Sequence, residues 1–217
     1  MSNKLPLVVL ISGSGSNLQS IIDAATTDLP VEIKAVISNK AEAFGLERAR
    51  SAGIETRVLN HKEFADRDSY DQALGDLIEE YQPGLVILAG FMRILTPALV
   101  NRFHGRMFNI HPSLLPKYRG LHTHQRALEA GDKIHGATVH FVTEELDGGP
   151  LIIQSQVPIL DQDDPDTLAA RVLKQEHTIY PQAIRMFAEG ELRMEEGVVY
   201  HQEKPLTAPI IIDTTGS

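Results

Sequence analysis

The sequence contains no cysteine and no tryptophan among its 217 residues. The absence of cysteine excludes disulfide bonds, thiolate zinc sites, iron–sulfur clusters and a cysteine nucleophile, and it is typical of a reducing compartment. No apolar run reaches the ~20 residues that a membrane-spanning helix requires. The first residues carry one lysine and lead directly into a strand-like run, which is unlike a signal peptide. We therefore expect a cytoplasmic protein with no membrane partner.

Positive charge is also scarce. The chain has 20 Lys and Arg residues against 29 Asp and Glu, a formal net charge of −9 with histidines neutral. Because non-specific nucleic-acid binding depends on clustered Lys and Arg, this balance argues against a nucleic-acid partner. Residues 91–133 are an exception, with seven basic and two acidic side chains and hence a local net charge of +5. This segment is where an anionic small molecule would be attracted.

Strand-like and helix-like segments alternate through the first half of the chain. Such alternation predicts a parallel sheet with helices on both faces. The predicted strands are Leu5–Ser12, Val31–Ser38, Ile54–Leu59, Leu85–Ala89 and Met107–Ile110. The predicted helices are Leu18–Ala25, Phe44–Ala52, Asp66–Tyr81 and Pro97–Phe103.

The pattern changes in the second half. Two longer strand-like runs, Gly136–Thr143 and Leu151–Ile159, are separated only by a turn, which predicts an antiparallel extension of the sheet. Asp164 and Pro165 predict the N-cap and the first residue of a long helix that runs to about Glu189. The remaining predicted elements are a helix over Thr123–Ala130 and a hairpin over Gly190–Tyr200.

No internal repeat or linker interrupts these elements. We therefore predict a single α/β domain with a Rossmann-like, mostly parallel sheet over residues 1–204. The polar, Pro- and Thr-rich tail over residues 205–217 is predicted to be loosely ordered.

Small residues fill the turn between the first predicted strand and the first predicted helix, where residues 12–17 read Ser-Gly-Ser-Gly-Ser-Asn. Glycines permit a sharp turn, and free amides at a helix N-terminus attract an anion. Leu18 stands where a dinucleotide-binding motif has its third glycine, and the lysine of a P-loop is missing. The loop therefore favours a mononucleotide or sugar phosphate, with an ordinary glycine-rich turn as the alternative.

Asn109 and His111 lie two residues apart at the end of a predicted strand, so their side chains share one face. Ligands of open α/β sheets bind beyond the carboxyl ends of strands, which is where this pair points. An Asn amide can donate to a developing oxyanion, and His can donate, accept or shuttle a proton near neutral pH. The alternative is that His111 caps a core turn and Asn109 satisfies local backbone groups.

Asp147 precedes two glycines in a second turn, where bulky neighbours cannot block the approach of its carboxylate. A carboxylate near an imidazole fixes the orientation of the ring. A plain surface turn is the alternative, because Asp-Gly is a favoured turn pair. The other histidines, including His122 and His124, lack a metal-binding signature, so we expect no metal site.

Taken in order, these motifs resemble those of the glycinamide ribonucleotide formyltransferases of purine biosynthesis. The resemblance covers about residues 7–200. Its motifs are Val9–Leu18, Ala35–Lys40, Leu88–Leu95, Asn109–Pro116 with Lys117–His124, Phe141–Pro150 and Gln175–His177. The Asn-His-Pro-Ser and Asp-Gly-Gly motifs are shared with other enzymes that use formylated folate, whereas the glycine-rich loop and Gln175–His177 are more particular to the ribonucleotide enzymes.

The resemblance implies formyl transfer from 10-formyltetrahydrofolate to the amine of glycinamide ribonucleotide, without a metal. The amine attacks the formyl carbon directly, so no protein nucleophile is required. Asn109 and protonated His111 would stabilise the oxyanion. Asp147 would orient His111 and help to move a proton from the attacking amine to the folate nitrogen.

The resemblance also implies the binding residues. The N-terminal half would bind phosphate and the C-terminal half folate, in a monomer or homodimer. Ribonucleotide would be held by Gly15, Ser16 and Asn17 at its phosphate and by Glu176 at a ribose hydroxyl. The folate pocket would be lined by Arg67, Met92, Arg93, Ile94, Leu95, Asn109, Thr143, Glu144, Glu145, Leu146 and Asp147. For Arg93 the alternative is a surface cation beside an apolar strand.

Three other functions remain open. A formyltetrahydrofolate hydrolase would reuse Asn109, His111 and Asp147 with water as nucleophile, but such hydrolases carry an additional N-terminal domain, and the first predicted strand begins within ten residues of Met1. Transfer to a tRNA-bound amino acid is disfavoured because no C-terminal nucleic-acid module is evident. A non-catalytic phosphosugar-binding module would bind the ribonucleotide without turnover.

Overall fold

The computed structural model describes residues 4–213, and the chain divides after Asn109 into two compact units. The first ten elements are β1 (Leu5–Ile11), α1 (Ser16–Thr27), β2 (Val31–Ser38), α2 (Gly45–Ser51), β3 (Thr56–Val58), a 3-10 helix (His61–Glu63), α3 (Arg67–Glu79), β4 (Leu85–Leu88), α4 (Pro97–Arg102) and β5 (Met107–His111). The division between the two units falls within β5. The later elements are α5 (Thr123–Glu129), β6 (Ile134–Phe141), β7 (Leu151–Pro158), α6 (Pro165–Ala188), β8 (Leu192–Glu195), β9 (Val198–His201), β10 (Lys204–Pro205) and β11 (Ile210–Asp213).

The first unit is built on parallel strands. β1 pairs in parallel with both β2 and β4, β2 pairs in parallel with β3, and β4 pairs in parallel with β5. Leu7–Ile11 of β1 and Leu85–Leu88 of β4 are buried along their whole length. Continuous burial is typical of parallel strands covered on both faces, and it explains why these runs are uniformly apolar.

The second unit contains the predicted antiparallel extension. β6 and β7 pair in antiparallel register from Ile134 opposite Pro158 to His140 opposite Leu151. β11 then pairs in parallel with β7. Ile210–Asp213 belongs to the segment that the sequence predicts to be loosely ordered, so this part of it forms a regular strand; residues 214–217 lie outside the described residues.

The strands form an eight-stranded sheet in the order β11-β7-β6-β5-β4-β1-β2-β3 and a separate three-stranded sheet in the order β10-β9-β8. The smaller sheet is antiparallel and contains the predicted hairpin. The architecture confirms the predicted α/β class with a mixed, mostly parallel sheet.

The long helix α6 begins as the sequence predicts. The Asp164 side chain accepts a hydrogen bond from the backbone N–H of Thr167 at 2.8 Å, and the Thr167 hydroxyl accepts one from the backbone N–H of Asp164 at 2.9 Å. Pro165 occupies the first turn, where its missing N–H costs nothing. Arg171 lies 2.6 Å from Asp163 and lowers the pKa of this carboxyl to about 2.

No helix within residues 4–213 is both long and apolar enough to cross a membrane.

Buried His140 predicts a pH-dependent stability. His140 on β6 is 2% exposed, and burial lowers the pKa of its imidazole to about 4, from an ordinary value of about 6.5. Between these values the unfolded chain binds more protons than the folded chain, so the free energy of unfolding falls as pH decreases. From about pH 7.5 to about pH 5 we expect His140 to account for a loss of about 2 kcal/mol, measured by urea unfolding.

The control is His140→Gln, which removes this titration. Its free energy of unfolding should depend less on pH. Some pH dependence should remain, because burial also lowers the pKa of His135 to about 4. The same pH dependence in both proteins would contradict the prediction.

Candidate active site

The candidate site is built around the end of β5, which carries Asn109 and His111 on one face. Asn109 is half-buried and His111 is 6% exposed. The chain turns immediately after the strand, because Pro112 cannot continue the ladder and the backbone N–H of Ser113 donates to the carbonyl of His111 at 2.9 Å.

Hydrogen bonds to β6 and β7 fix the loop that follows His111. The Thr138 hydroxyl donates to the carbonyl of Ser113 at 2.7 Å and accepts from the backbone N–H of Leu115 at 3.1 Å. The Gln154 amide donates to the carbonyl of Leu115 at 2.8 Å. All of these groups are buried, where satisfied polar networks hold one geometry. The backbone path that follows His111 at the end of β5 is therefore fixed.

The turn that carries Asp147 depends on close backbone approach. Asp147 has φ +50°, in the left-handed region that Asp tolerates better than most residues. The backbone N–H of Gly148 donates to the carbonyl of Glu145 at 3.0 Å. A Cβ atom at Gly149 would overlap the carbonyl of Phe141, so only glycine fits there. The result is an Asp147 side chain that is directed inward and 7% exposed.

His111 and Asp147 come together in the second unit. His111 Nδ1 lies 3.5 Å from Asp147 Oδ2, which also accepts a hydrogen bond from the backbone N–H of Gly120 at 2.8 Å. His111 Nε2 donates to the carbonyl of Tyr118 at 2.8 Å. A carbonyl can only accept, so Nε2 is the donor of this hydrogen bond, and the Asp147 carboxylate faces Nδ1 on the other side of the ring.

The loop before α5 covers this pair. Arg119 forms an ion pair with Glu145, close to the Asp147 turn. Arg126 donates to the carbonyl of Arg119 at 2.6 Å, and its guanidinium lies 5.2 Å from the ring centre of Tyr118. Arg119, to which the resemblance gives no role, thus connects two loops that both contact the His111–Asp147 pair.

The remaining histidines form no metal site in the described part of the chain. His124 Nδ1 lies 3.1 Å from His135 Nε2, a distance at which one ring donates to the other. Burial lowers the pKa of both imidazoles, which keeps the pair neutral at pH 7. Within residues 4–213 no group of three or more metal-ligating side chains is arranged to hold an ion.

The glycine-rich loop in the first unit leads into the N-terminus of α1. α1 begins at Ser16, its N-cap Gly15 has φ +72°, and no side chain caps the helix. A Cβ atom at Gly15 would lie 2.5 Å from the Cα atom of Gly45, so the loop and the start of α2 approach too closely for a side chain. Arg48 donates to the carbonyl of Ser14 at 2.8 Å. Arg48 adds positive charge beside the loop, and nothing in its local sequence identifies it.

The predicted folate residues of the first unit lie on two elements. Arg67 is exposed at the first residue of α3. Met92–Leu95 form the loop between β4 and α4, where Met92 and Ile94 are 66% and 56% exposed. Arg93 is half-buried, and its guanidinium lies 4.5 Å from the ring centre of Tyr70. It is therefore not a solvated surface cation.

The predicted residues of the second unit lie on two other segments. Thr143–Leu146 lead from β6 into the Asp147 turn, and Glu144, Glu145 and Leu146 are exposed. Glu176 lies on α6 and is 7% exposed.

Comparison with known proteins identifies the family. The sequence matches the formyl transferase family model over residues 5–184. The chain belongs to the formyl transferase family. This assignment confirms the resemblance seen in the sequence motifs and the prediction that the protein is an enzyme of the formyltransferase class.

Similar formyl transferases include separate enzymes and parts of larger proteins. The chain is 57% identical over 195 residues to phosphoribosylglycinamide formyltransferase of Escherichia coli, covering 89% of this chain and 92% of that protein. It is 46% identical over 194 residues to the trifunctional purine biosynthetic protein adenosine-3 of Bos taurus, covering 89% of this chain and 19% of that protein.

Solved structures agree with the fold. Phosphoribosylglycinamide formyltransferase from Coxiella burnetii is 50% identical, has a TM-score of 0.92, and is matched over 95% of this chain and 99% of that one. Glycinamide ribonucleotide transformylase 1 from Symbiobacterium toebii is 44% identical, has a TM-score of 0.89, and is matched over 93% and 95%. The α/β architecture is therefore that of the family.

The turn geometry predicts unequal effects at two adjacent glycines. Gly149→Ala should lower the free energy of unfolding by about 2 kcal/mol or more, because its Cβ meets the backbone of Phe141, which is fixed in β6. Gly148→Ala should cost less than about 1 kcal/mol, because the atoms nearest to its Cβ belong to the flexible side chain of Glu145. Urea unfolding of both variants measures the difference, and equal losses would contradict this account of the turn.

Proposed function

We propose that this formyl transferase transfers the formyl group of 10-formyltetrahydrofolate to the amine of glycinamide ribonucleotide in purine biosynthesis. The observation that carries the proposal is the buried His111–Asp147 pair, in a chain 57% identical to a bacterial phosphoribosylglycinamide formyltransferase. Asn109 precedes His111 by two residues on the same strand. These residues supply hydrogen-bond donors and a proton-transfer group, which are what direct attack of an amine on a formyl carbon requires.

Asn109 and His111 act on the formyl oxygen. When the amine adds to the formyl carbon, negative charge develops on this oxygen, and preorganised donors stabilise it. The Asn109 amide and the Nε2 proton of His111 are the donors, both carried by β5. The carbonyl of Tyr118 accepts from Nε2 in this structure, so the formyl oxygen would replace it as acceptor.

Asp147 acts on His111. Its carboxylate faces Nδ1 at 3.5 Å, which holds the ring in one orientation and stabilises the imidazolium. The attacking amine must lose a proton and the folate nitrogen must gain one before the tetrahedral intermediate collapses. The Asp147 carboxylate can accept the proton from the amine and return it to the folate nitrogen, while His111 keeps both of its ring protons.

The glycine-rich loop binds the phosphate of the ribonucleotide. The uncapped start of α1 offers backbone N–H groups from Gly15, Ser16 and Asn17, and the positive end of the helix dipole favours a dianion. Arg48 adds a nearby cation. Glu176 is assigned to a ribose hydroxyl, which a carboxylate can bind as an acceptor.

Residues of both units are assigned to folate. Met92 and Ile94 supply exposed apolar side chains for the pteridine, and the exposed Arg67 supplies positive charge for the glutamate carboxylates. Arg93 and Leu95 are assigned to the same pocket. Thr143–Asp147 of the second unit are assigned to folate as well. Both substrates are anionic, in agreement with the net charge of +5 over residues 91–133.

The remaining expectations stay part of the proposal. Residues 1–204 constitute the catalytic domain, acting in the cytoplasm on small molecules, as a monomer or homodimer. No metal or nucleic acid takes part, since direct attack on an activated formyl group needs neither a Lewis acid nor a nucleophilic side chain.

A spectrophotometric assay with 10-formyltetrahydrofolate tests the proposal. Loss of the formyl group should depend on glycinamide ribonucleotide, and formylglycinamide ribonucleotide should accumulate in equal amount. Formyl loss at the same rate without the amine would instead identify a hydrolase. Binding of the ribonucleotide without turnover would identify a non-catalytic module.

Asn109→Ala is the matched variant for this assay. Removing one oxyanion donor should lower kcat by about 10²–10³-fold while the KM for the ribonucleotide changes little. A change confined to KM would contradict the role of Asn109 in the chemical step.

Two glycines of the phosphate loop test the ribonucleotide site. Gly15→Ala should raise the KM for the ribonucleotide by about tenfold or more, because the left-handed φ and the contact with Gly45 both exclude a side chain. Gly13→Ala is the control, since no atom lies within 4 Å of its Cβ position. Steady-state kinetics of both variants give the comparison, and equal effects would argue against phosphate binding by this loop.

A further inference from the structure

The loop between β4 and α4 exposes apolar side chains from a fixed backbone. Met92 and Ile94 are 66% and 56% exposed, whereas the intervening Arg93 turns inward onto Tyr70. Both side chains belong to the segment assigned to folate in the proposed function.

Ser12 holds the start of the loop. It follows β1, is 5% exposed, and accepts a hydrogen bond from the backbone N–H of Met92 at 2.9 Å. Its own backbone N–H donates to the carbonyl of Gly90 at 3.2 Å. The same hydroxyl donates its proton to Asn39 Oδ1 at 2.6 Å. The hydroxyl thus uses its donor on Asn39 and an acceptor site on Met92.

Asn39 orients the Ser12 hydroxyl. It follows β2, is 2% exposed, and presents Oδ1 to Ser12. His61 Nδ1 lies 3.3 Å from both the Nδ2 atom and the backbone carbonyl oxygen of Asn39. Because Asn39 takes the hydroxyl proton, a Ser12 lone pair is directed at the N–H of Met92. Asn39 therefore acts on the loop through Ser12.

Asp71 holds the other end of the loop. Its Oδ2 accepts a hydrogen bond from the backbone N–H of Thr96, the N-cap of α4, at 2.6 Å. Asp71 is 1% exposed on α3. The segment from Met92 to Thr96 is thus fixed at both ends by buried oxygen atoms from other elements.

We infer that Asn39 is a positioning residue for the folate-binding loop, acting through the two consecutive hydrogen bonds that link Asn39 to Ser12 and Ser12 to Met92. The inference rests on the proposed function, because it takes residues 92–95 as part of the folate pocket. A loop already held in its binding conformation loses less entropy when the ligand binds. Removing either of these hydrogen bonds should therefore weaken folate binding and leave the chemistry on β5 unchanged.

Steady-state kinetics with both substrates test this role. Asn39→Ala should raise the KM for 10-formyltetrahydrofolate about fivefold to tenfold, the effect of one lost hydrogen bond. The KM for the ribonucleotide and kcat should stay within about twofold, because Asn39 contacts neither reacting group. Asn39→Asp keeps an oxygen at the Oδ1 position, so its folate KM should return towards the wild-type value.

A double-mutant cycle distinguishes the loss of the Asn39–Ser12–Met92 hydrogen bonds from a general loss of stability. Ser12→Ala should raise the folate KM at least as much as Asn39→Ala, and Asn39→Ala should add nothing in the Ser12→Ala background. Ser38→Ala is the matched control. Ser38 is the fully buried residue next to Asn39. Its hydroxyl donates to the carbonyl of Lys40 at 2.8 Å and accepts from the backbone N–H of Lys40 at 3.0 Å, so both hydrogen bonds stay within one turn.

Three results would overturn the inference: an equal rise in both KM values, additive effects of the two substitutions, or an effect of Ser38→Ala as large as that of Asn39→Ala. Thermal unfolding reports whether each variant is folded. If Asn39→Ala does not fold, the kinetics of Ser12→Ala and Asn39→Asp are compared instead. Formyl loss without transfer by the wild-type protein would refute the proposed acceptor but leave the folate KM measurable. No formyl loss at all would overturn both the function and this inference.

Discussion

The buried parallel pairing of β1 with β2 and β4 is the constraint on which the rest of the first unit depends. Because these strands are covered on both faces, their register cannot slip without exposing apolar side chains or burying polar ones. Their carboxyl ends therefore stop at the same level, and each loop that follows begins at a defined point. Ser12, Asn39 and Met92 meet only because three paired strands deliver them to that edge.

Most of the fold could be predicted from the sequence because its signals are local. Continuous apolar runs predict β1 and β4, and the Asp164–Pro165 start of α6 is a hydrogen-bonding pattern contained within four residues. β11 could not be predicted, because a short apolar run after a polar segment becomes a strand only by pairing with β7, more than fifty residues earlier in the chain.

The candidate site was predictable in its residue types but not in its contacts. Asn109, His111 and Asp147 stand out as chemical groups in sequence motifs, yet their spacing does not bring His111 to Asp147. That proximity depends on Gly149, which lets the turn approach Phe141, and on the Gly120 amide, which fixes the carboxylate. Ser12 and Asn39 belong to recognised motifs, but a hydrogen bond between residues 27 positions apart leaves no local signal.

Charge in this protein is organised by position more than by total. The chain is acidic, yet Arg48 lies beside the glycine-rich loop and Arg93 is held against an aromatic ring. Guanidinium groups are suited to such places because they stay protonated and pack flat on rings. Acidic side chains elsewhere leave the overall charge negative, which favours solubility without weakening the local attraction for anions within a Debye length.

The hydrogen bond from His111 to the carbonyl of Tyr118 has a consequence for how the proposed reaction would be accelerated. A neutral formyl oxygen is about as good an acceptor as a peptide carbonyl, so displacing Tyr118 would gain little when the substrate first binds. An alkoxide-like oxygen forms a charge-assisted bond that is roughly twice as strong. The peptide carbonyl thereby acts as an internal competitor that discriminates between the two charge states, and the binding energy of His111 would be expressed chiefly in the transition state.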